Sequence, residues 1–193
     1  MSFNITDLKT ALKGGARANL FRVLISGVTN ESAADLLPIL CRSASLPSST
    51  IGIVEVAYNA GRRYKMGGER TFADWTTTIL NDEDFTIRRS IEGWQAGIVD
   101  VDANSESVGF RNAQDRGVGT GLLSNPTVYV QQLDDTGEAV KTYKLHHCWP
   151  SDISSIDLSY DNVDTVEEFT VTWTYDYFTE SDVGAPTFSN PTA

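Results

Sequence analysis

The stretch GGERTFADWTTTILNDEDFTIRRSIEGWQ, residues 67–95, changes its apolar period once, and that change decides the fold. In DWTTTIL (74–80), Trp75, Thr77 and Ile79 alternate with Asp74, Thr76 and Thr78, as in a strand with one face in a core. In NDEDFTIRRSIEGWQ (81–95), Ile87, Ile91 and Trp94 recur at i, i+4 and i+7, while Arg88, Arg89 and Glu92 lie off that stripe. Asn and acidic residues at its start suit an N-cap and the helix dipole. The predicted unit is a strand followed by a helix of about three turns that packs its stripe on a sheet.

Working outward, most segments read as strands. NLFRVLISGV (19–28) and LPILCRSASLP (37–47) are two, the second with Pro38 near its start, where a missing N–H is tolerable. TIGIVEVAY (50–58) is a third, returning across NAG as RRYKM (62–66). TVYVQQL (127–133) and AVKTYKLHHCW (139–149) flank DDTGE as a hairpin. ISSIDLSY (153–160) and VEEFTVTWTYDYF (166–178) flank DNVD as another. Ile5, Leu8 and Leu12 form one face of a short helical arm that Gly14-Gly15 ends. Residues 97–124 are a long loop rich in Gly, Asp, Asn and Ser, and SDVGAPTFSNPTA reads as an exposed extension. The class is mainly β with one helix, a sandwich or a barrel.

The 193 residues, 40% of them apolar, suffice for one domain with a sizeable core. No apolar run reaches the length of a transmembrane helix. MSFNITDLKTALKGG lacks a basic start followed by an apolar block, so no secretory signal and synthesis in a cytoplasm are expected. The two cysteines, Cys41 and Cys148, make no disulfide framework and are expected as reduced, buried thiols. The net charge of −11 is uneven: Leu145–Ala193 holds nine acidic residues and no Lys or Arg. Such a surface does not grip a phosphate backbone or an anionic membrane, since both need cations.

The stretch YKLHHCWP (143–150) gathers both histidines and one cysteine. Read as a strand, it puts Tyr143, Leu145, His147 and Trp149 on one face and Lys144, His146 and Cys148 on the other. The histidines then cannot share a metal ion, and His146 with Cys148 supplies two ligands where a structural zinc takes four. A Cys–His nucleophile lacks an orienting third group. The reading is a strand with its aromatic face in the core. MGGER (66–70) lacks P-loop spacing, and adjacent Glu167 and Glu168 point apart on a strand. No catalytic residues, metal or cofactor are expected, and the chain is not read as an enzyme.

The 67–95 stretch resembles the tail tube proteins of contractile-tailed bacteriophages. The matching residues are Gly68, Glu69, Arg70, Thr71, Phe72, Asp74 and Trp75, then Asn81, Asp82 and Glu83, then Trp94. ARANLFRVLIS, CRSASLPSSTIGIVEVAYNAGRRYKM and LHHCWPSDISSIDLSYD resemble further pieces in order, so that the resemblance spans about residues 16–178. The 97–124 loop and the tail from Glu180 depart from the pattern. The resemblance implies two packed antiparallel sheets forming a small β-barrel or sandwich, with one flanking helix, a long hairpin loop and extended termini. It divides the chain into an N-terminal arm (1–18), a tail-tube domain (19–179) and a C-terminal extension (180–193). It further implies hexameric rings stacked into a virion tail tube, assembled in the host cytoplasm. Sheath, baseplate and tail-terminator proteins are the implied partners, and DNA passes through without specific binding. Type VI secretion tubes are similar in fold.

Two sets of residues are expected to matter for such an assembly. Thr76, Thr78, Ser155, Asp157, Thr170, Thr172, Thr174 and Asp176 lie opposite apolar or aromatic neighbours on read strands, carry no cation among them, and are expected to line a bore. Arg62, Arg63, Lys65 and Arg70 on the hairpin, and Ile5, Leu8 and Leu12 on the arm, are expected to contact other copies. The rival readings are a tube of an injection or secretion device without DNA cargo, and a carbohydrate-binding β-sandwich.

Overall fold

The alternating segment around Trp75 becomes a central strand of a four-stranded antiparallel sheet. The computed structural model describes residues 4–12, 15–26, 31–100, 105–106, 127–161 and 163–180. That sheet runs β10 (Trp149–Ile153), β11 (Glu168–Thr174), β5 (Trp75–Leu80) and β2 (Cys41–Ala44). A second antiparallel sheet runs β1 (Phe21–Ser26), β8 (Thr127–Leu133), β9 (Ala139–His146) and β12 (Tyr177–Glu180). The two form an open sandwich and do not close into a barrel. Trp75, Ile79, Phe169, Val171 and Trp173 from the first sheet share one core with Val23, Val128, Val130 and Leu145 from the second. Burial of these side chains supplies the main stabilisation.

Among the described residues three α-helices stand where one core helix and a short helical arm were expected. α3 (Thr86–Ile98) is the expected one, with Ile87, Ile91 and Trp94 buried. It starts later than Asn81 because Phe85 has φ 55 and Asp82 serves its first turn, accepting the Thr86 N–H at 3.0 Å. Burial pushes the Asp82 carboxyl up, but hydrogen bonds from Thr86 and the Ile87 backbone outweigh it and hold it below the ordinary carboxylate value. α1 (Ile5–Leu12) is the expected arm. α2 (Glu31–Leu40) replaces the expected strand at 37–47, leaving only β2 of it. Ala33 and Leu37, one turn apart, are its buried face. Pro38 sits in its last turn, where it removes the bond that an N–H at that position would donate to the Ala34 carbonyl. No described helix is long and apolar enough to cross a membrane.

The segment read as one strand through His146, His147 and Cys148 is two. β9 ends at His146, His147 takes φ 53, and β10 starts at Trp149 in the other sheet. The expected face assignment therefore fails past His146: Cys148 is fully buried and Trp149 exposed. The final strand divides in the same way, with β11 and β12 in different sheets on either side of Tyr175 and Asp176. Its aromatic face is buried through Tyr175, but Tyr177 is exposed and Phe178 packs inward instead. Since β9 pairs with β12 and β10 with β11, the two crossings form a double corner. The Asp176 N–H donates to the His146 carbonyl there at 3.1 Å.

ISSIDLSY is not a strand beyond Ile153. The Ser154 hydroxyl accepts the Thr170 N–H at 2.9 Å, taking the place of a backbone acceptor and ending the ladder. Ser155 and Asp157 lie in the irregular chain that follows, with Leu158 80% and Tyr160 104% exposed rather than in the core. Both expected hairpin turns around NAG and DDTGE are present: Gly61 and Gly137 have φ 77 and 84, and the Asp134 carboxylate accepts the N–H groups of Thr136 and Glu138. Beyond α3, β6 (Val99–Asp100) pairs with β7 (Ser105–Glu106). Apart from Gly97 and Ile98, which α3 takes in, and those two strands, the 97–124 loop lies outside the described residues, as does the extension after Glu180.

Candidate assembly surfaces

Three surfaces combine exposure with a pattern that solvation alone does not require. The first is a two-stranded ribbon, β3 (Ser49–Tyr58) paired with β4 (Arg62–Phe72), that belongs to neither sheet of the sandwich. All ten residues of β3 are exposed. Cross-strand register puts Val54 opposite Met66 and Val56 opposite Tyr64, and with Tyr58 they make a continuous apolar face. An isolated two-stranded ribbon of this kind is marginal in water, and an exposed apolar strip marks a protein contact. The opposite face is ionic: Arg63 and Lys65 both reach Glu55, at 2.7 and 3.3 Å. Two cations on one carboxylate leave the tip positive. Exposed Arg62 has no carboxylate partner among the described residues. Arg70 is engaged within its own chain, lying over the rings of Phe72 and Phe178 at 5.0 and 5.2 Å. At the base, Gly52 and Gly68 let the strands close up: a Cβ on Gly68 would meet the Gly52 carbonyl oxygen at 3.1 Å.

The second surface is the outward face of the β10-β11-β5-β2 sheet. Register places Thr170 opposite Thr78 and Thr172 opposite Thr76, so four threonines from two central strands form one block. The Thr174 hydroxyl continues it, donating to Asp74 at 3.2 Å. Asp152, opposite Thr172, and Glu168 add carboxylates. The cation at its rim, Arg42, is paired with Glu168. Ser155, Asp157 and Asp176 are not on this face: the first two lie in the loop after β10, and Asp176 lies at the corner.

The third surface is α1, whose residues are all exposed, Ile5, Leu8 and Leu12 included. The Asn4 carboxamide receives the Thr6 N–H at its start, and Gly15, at φ 72, closes its end by donating to the Leu12 carbonyl at 2.7 Å. Eight residues are too few to hold a helix without support.

The reactive side chains of YKLHHCWP are structural. His146 stacks on Tyr177 with ring centres 4.4 Å apart and meets the Thr179 hydroxyl at 2.9 Å. Burial, with Lys144 and His147 nearby, holds its pKa below the ordinary histidine value. Cys148 is fully buried, which pushes its thiol far up, and Cys41 is pushed up to about 12 by burial. Neither thiol is a nucleophile in that state. Sequence reasoning missed the ribbon's apolar face, whose signal was present in the register of Val54, Val56, Tyr64 and Met66.

The family model for the phage tail tube protein matches residues 15–181. Tail tube protein gp19 of Enterobacteria phage T4 is 26% identical over 176 residues, covering 90% of this chain and 98% of that protein. The tail tube protein of Serratia phage KSP90 is 25% identical over 177 residues, covering 86% and 90%. Among solved structures, the fold is similar to a chain of the sheath-tube complex of an extracellular contractile injection system, PVC, in its extended state. That likeness has a TM-score of 0.55 at 14% identity and covers 94% of this chain and 100% of the other. The chain belongs to the phage tail tube protein family and is a structural part of the virion tail.

Proposed function

We propose that copies of this chain close into hexameric rings that stack as the inner tube of a contractile tail, the conduit for DNA ejection. The observation that carries this reading is the β3–β4 ribbon, an apolar-faced element that the sandwich leaves uncovered. A neighbouring copy supplies the missing cover, with Arg62, Arg63 and Lys65 facing its carboxylates. The arm, residues 1–18, becomes ordered on another copy, and the domain 19–179 forms the wall. Sheath, baseplate and terminator proteins are the partners proposed for the outside and the ends, with the extension 180–193 available to them.

The threonine face is the proposed bore. Six four-stranded sheets joined edge to edge give about 24 strands, and at about 4.8 Å spacing a barrel roughly 37 Å across before strand tilt widens it. Short hydroxyls at Thr76, Thr78, Thr170, Thr172 and Thr174 take little of that width. Carboxylates without free cations repel phosphate, so DNA slides. Ser155, Asp157 and Asp176 are not part of that face. Ring closure also covers the sheet edges β10 and β2.

The test is assembly followed by ejection. Purified protein should form long hollow tubes under negative stain, and chains lacking residues 54–65 should stay folded but remain unassembled. A Thr172→Lys, Thr174→Arg variant should build tubes and slow DNA release. The likeness to the PVC sheath-tube chain keeps a second reading in view, a tube without DNA cargo. In that case the cationic variant would leave delivery unchanged.

A further inference from the structure

The irregular chain between β10 and β11 makes a further uncovered apolar surface. It encloses an open groove of about 490 Å³ whose lining includes Ile156, Leu158, Tyr160 and Val166, with Asp157 and Glu167 beside them. Leu158 and Tyr160 are among the most exposed apolar side chains described, and among the described residues neither belongs to the core. Exposed apolar side chains gathered around a concavity mark a docking site.

The charges name the occupant. Residues 154–168 hold five acids, Asp157, Asp161, Asp164, Glu167 and Glu168, and no cation. Residues 1–20 are the reverse, with Lys9, Lys13 and Arg17 against Asp7 alone, in a chain whose net charge is −11. α1 within that segment presents Ile5, Leu8 and Leu12 as an unburied stripe, with Lys9 one turn on from Ile5. An apolar stripe edged by Lys9 fits an apolar groove edged by carboxylates. Within one chain the two do not meet, because no residue of α1 is buried and none lines the groove. We infer that α1 of one copy docks in the 154–168 groove of another copy, pinning adjacent copies together through the N-terminal arm. This rests on the tube reading and adds to it a defined receptor for the arm.

The experiment uses two singly substituted full-length chains, Thr6→Cys and Ser159→Cys, at exposed positions that leave the stripe and the charges intact. Native Cys41 and Cys148 are buried and stay silent. The chains are mixed, assembled and treated with a short bismaleimide. A covalent dimer at least tenfold above that in tubes of either variant alone is expected. Lys9→Glu should reduce the cross-link several-fold, and adding Asp157→Lys, at a carboxylate that lines the groove, should restore it. Tubes that form without the dimer overturn the inference and leave the tube reading standing. A link that forms inside one doubly substituted, unassembled chain overturns it too. Failure of the wild-type chain to make tubes at all overturns the tube reading, and the docking with it.

Discussion

His147 Nδ1 lies 2.8 Å from Asp176 Oδ2 at the point where both strand pairs cross from one sheet to the other. The contact clamps the two turns, and the His147 backbone, at φ 53, makes the sharper of them. A β-branched residue does not tolerate that conformation, so His147→Val should destabilise the fold by about 1–3 kcal/mol. His147→Gly relieves the backbone and loses only the exposed pair, worth about 0.2–1 kcal/mol. Urea midpoints at equal m-value give the comparison, and equal losses for both variants would remove the backbone from the explanation.

Trp173 makes a second, buried link between strands. Its indole N–H donates to the Thr77 hydroxyl at 2.9 Å, between Trp75 and Trp94, whose rings lie 6.3 and 5.9 Å away. Thr77→Val keeps the volume but strands the N–H, at an expected cost of about 1–3 kcal/mol. Trp173→Phe in the Thr77→Val background should then show non-additive losses, since the shared bond is broken once. Additive losses would show that the hydrogen bond does not couple the two strands.

The ribbon's ionic face makes assembly salt-sensitive. Arg63 and Lys65 share Glu55, so Arg63→Glu puts two carboxylates side by side at the tip. Polymer yield, read by sedimentation, should fall for this variant and should fall for the wild type as salt approaches about 1 M, where the Debye length is about 3 Å. Unchanged yield in both would remove charge from the ribbon's role.

His146 sets a direction for the pH dependence of stability. Its folded pKa is below the ordinary value, through burial first and then through Lys144 and His147, so the unfolded chain takes up its proton first as pH falls. Stability from this group is therefore full above the ordinary histidine pKa and is lost as pH falls through and below it. His146→Gln should flatten that part of the profile in thermal melts. A wild type no steeper than the variant over this window would contradict the assignment.

The sandwich was legible where periodicity is uninterrupted. Trp75, Thr77 and Ile79, and the Ile87, Ile91 and Trp94 stripe, lie where their spacing places them, because one buried face selects one period. The double corner was not legible. A single left-handed residue, His147, reverses the facing of everything after it, and histidine carries no strong signal for that conformation. α2 was misread because Pro38 argues against a helix locally, whereas Ala33 and Leu37 gain burial that outweighs it. Leu158 and Tyr160 alternate as strand residues do, but Ser154 ends the pairing that a strand needs. The threonine block was visible as alternation in each strand separately. Its unity rests on the register of Thr170 with Thr78 and Thr172 with Thr76, which pairing alone determines.

The central claim is a self-assembled tube whose inner wall is that threonine face. A cryo-electron microscopy reconstruction of the purified, assembled protein tests it most directly. Stacked six-fold rings with Thr172 and Thr174 on the wall of a continuous bore, and the β3–β4 ribbon covered by another copy, are predicted. A small closed oligomer, or a tube carrying Thr172 and Thr174 on its outer wall, would contradict it.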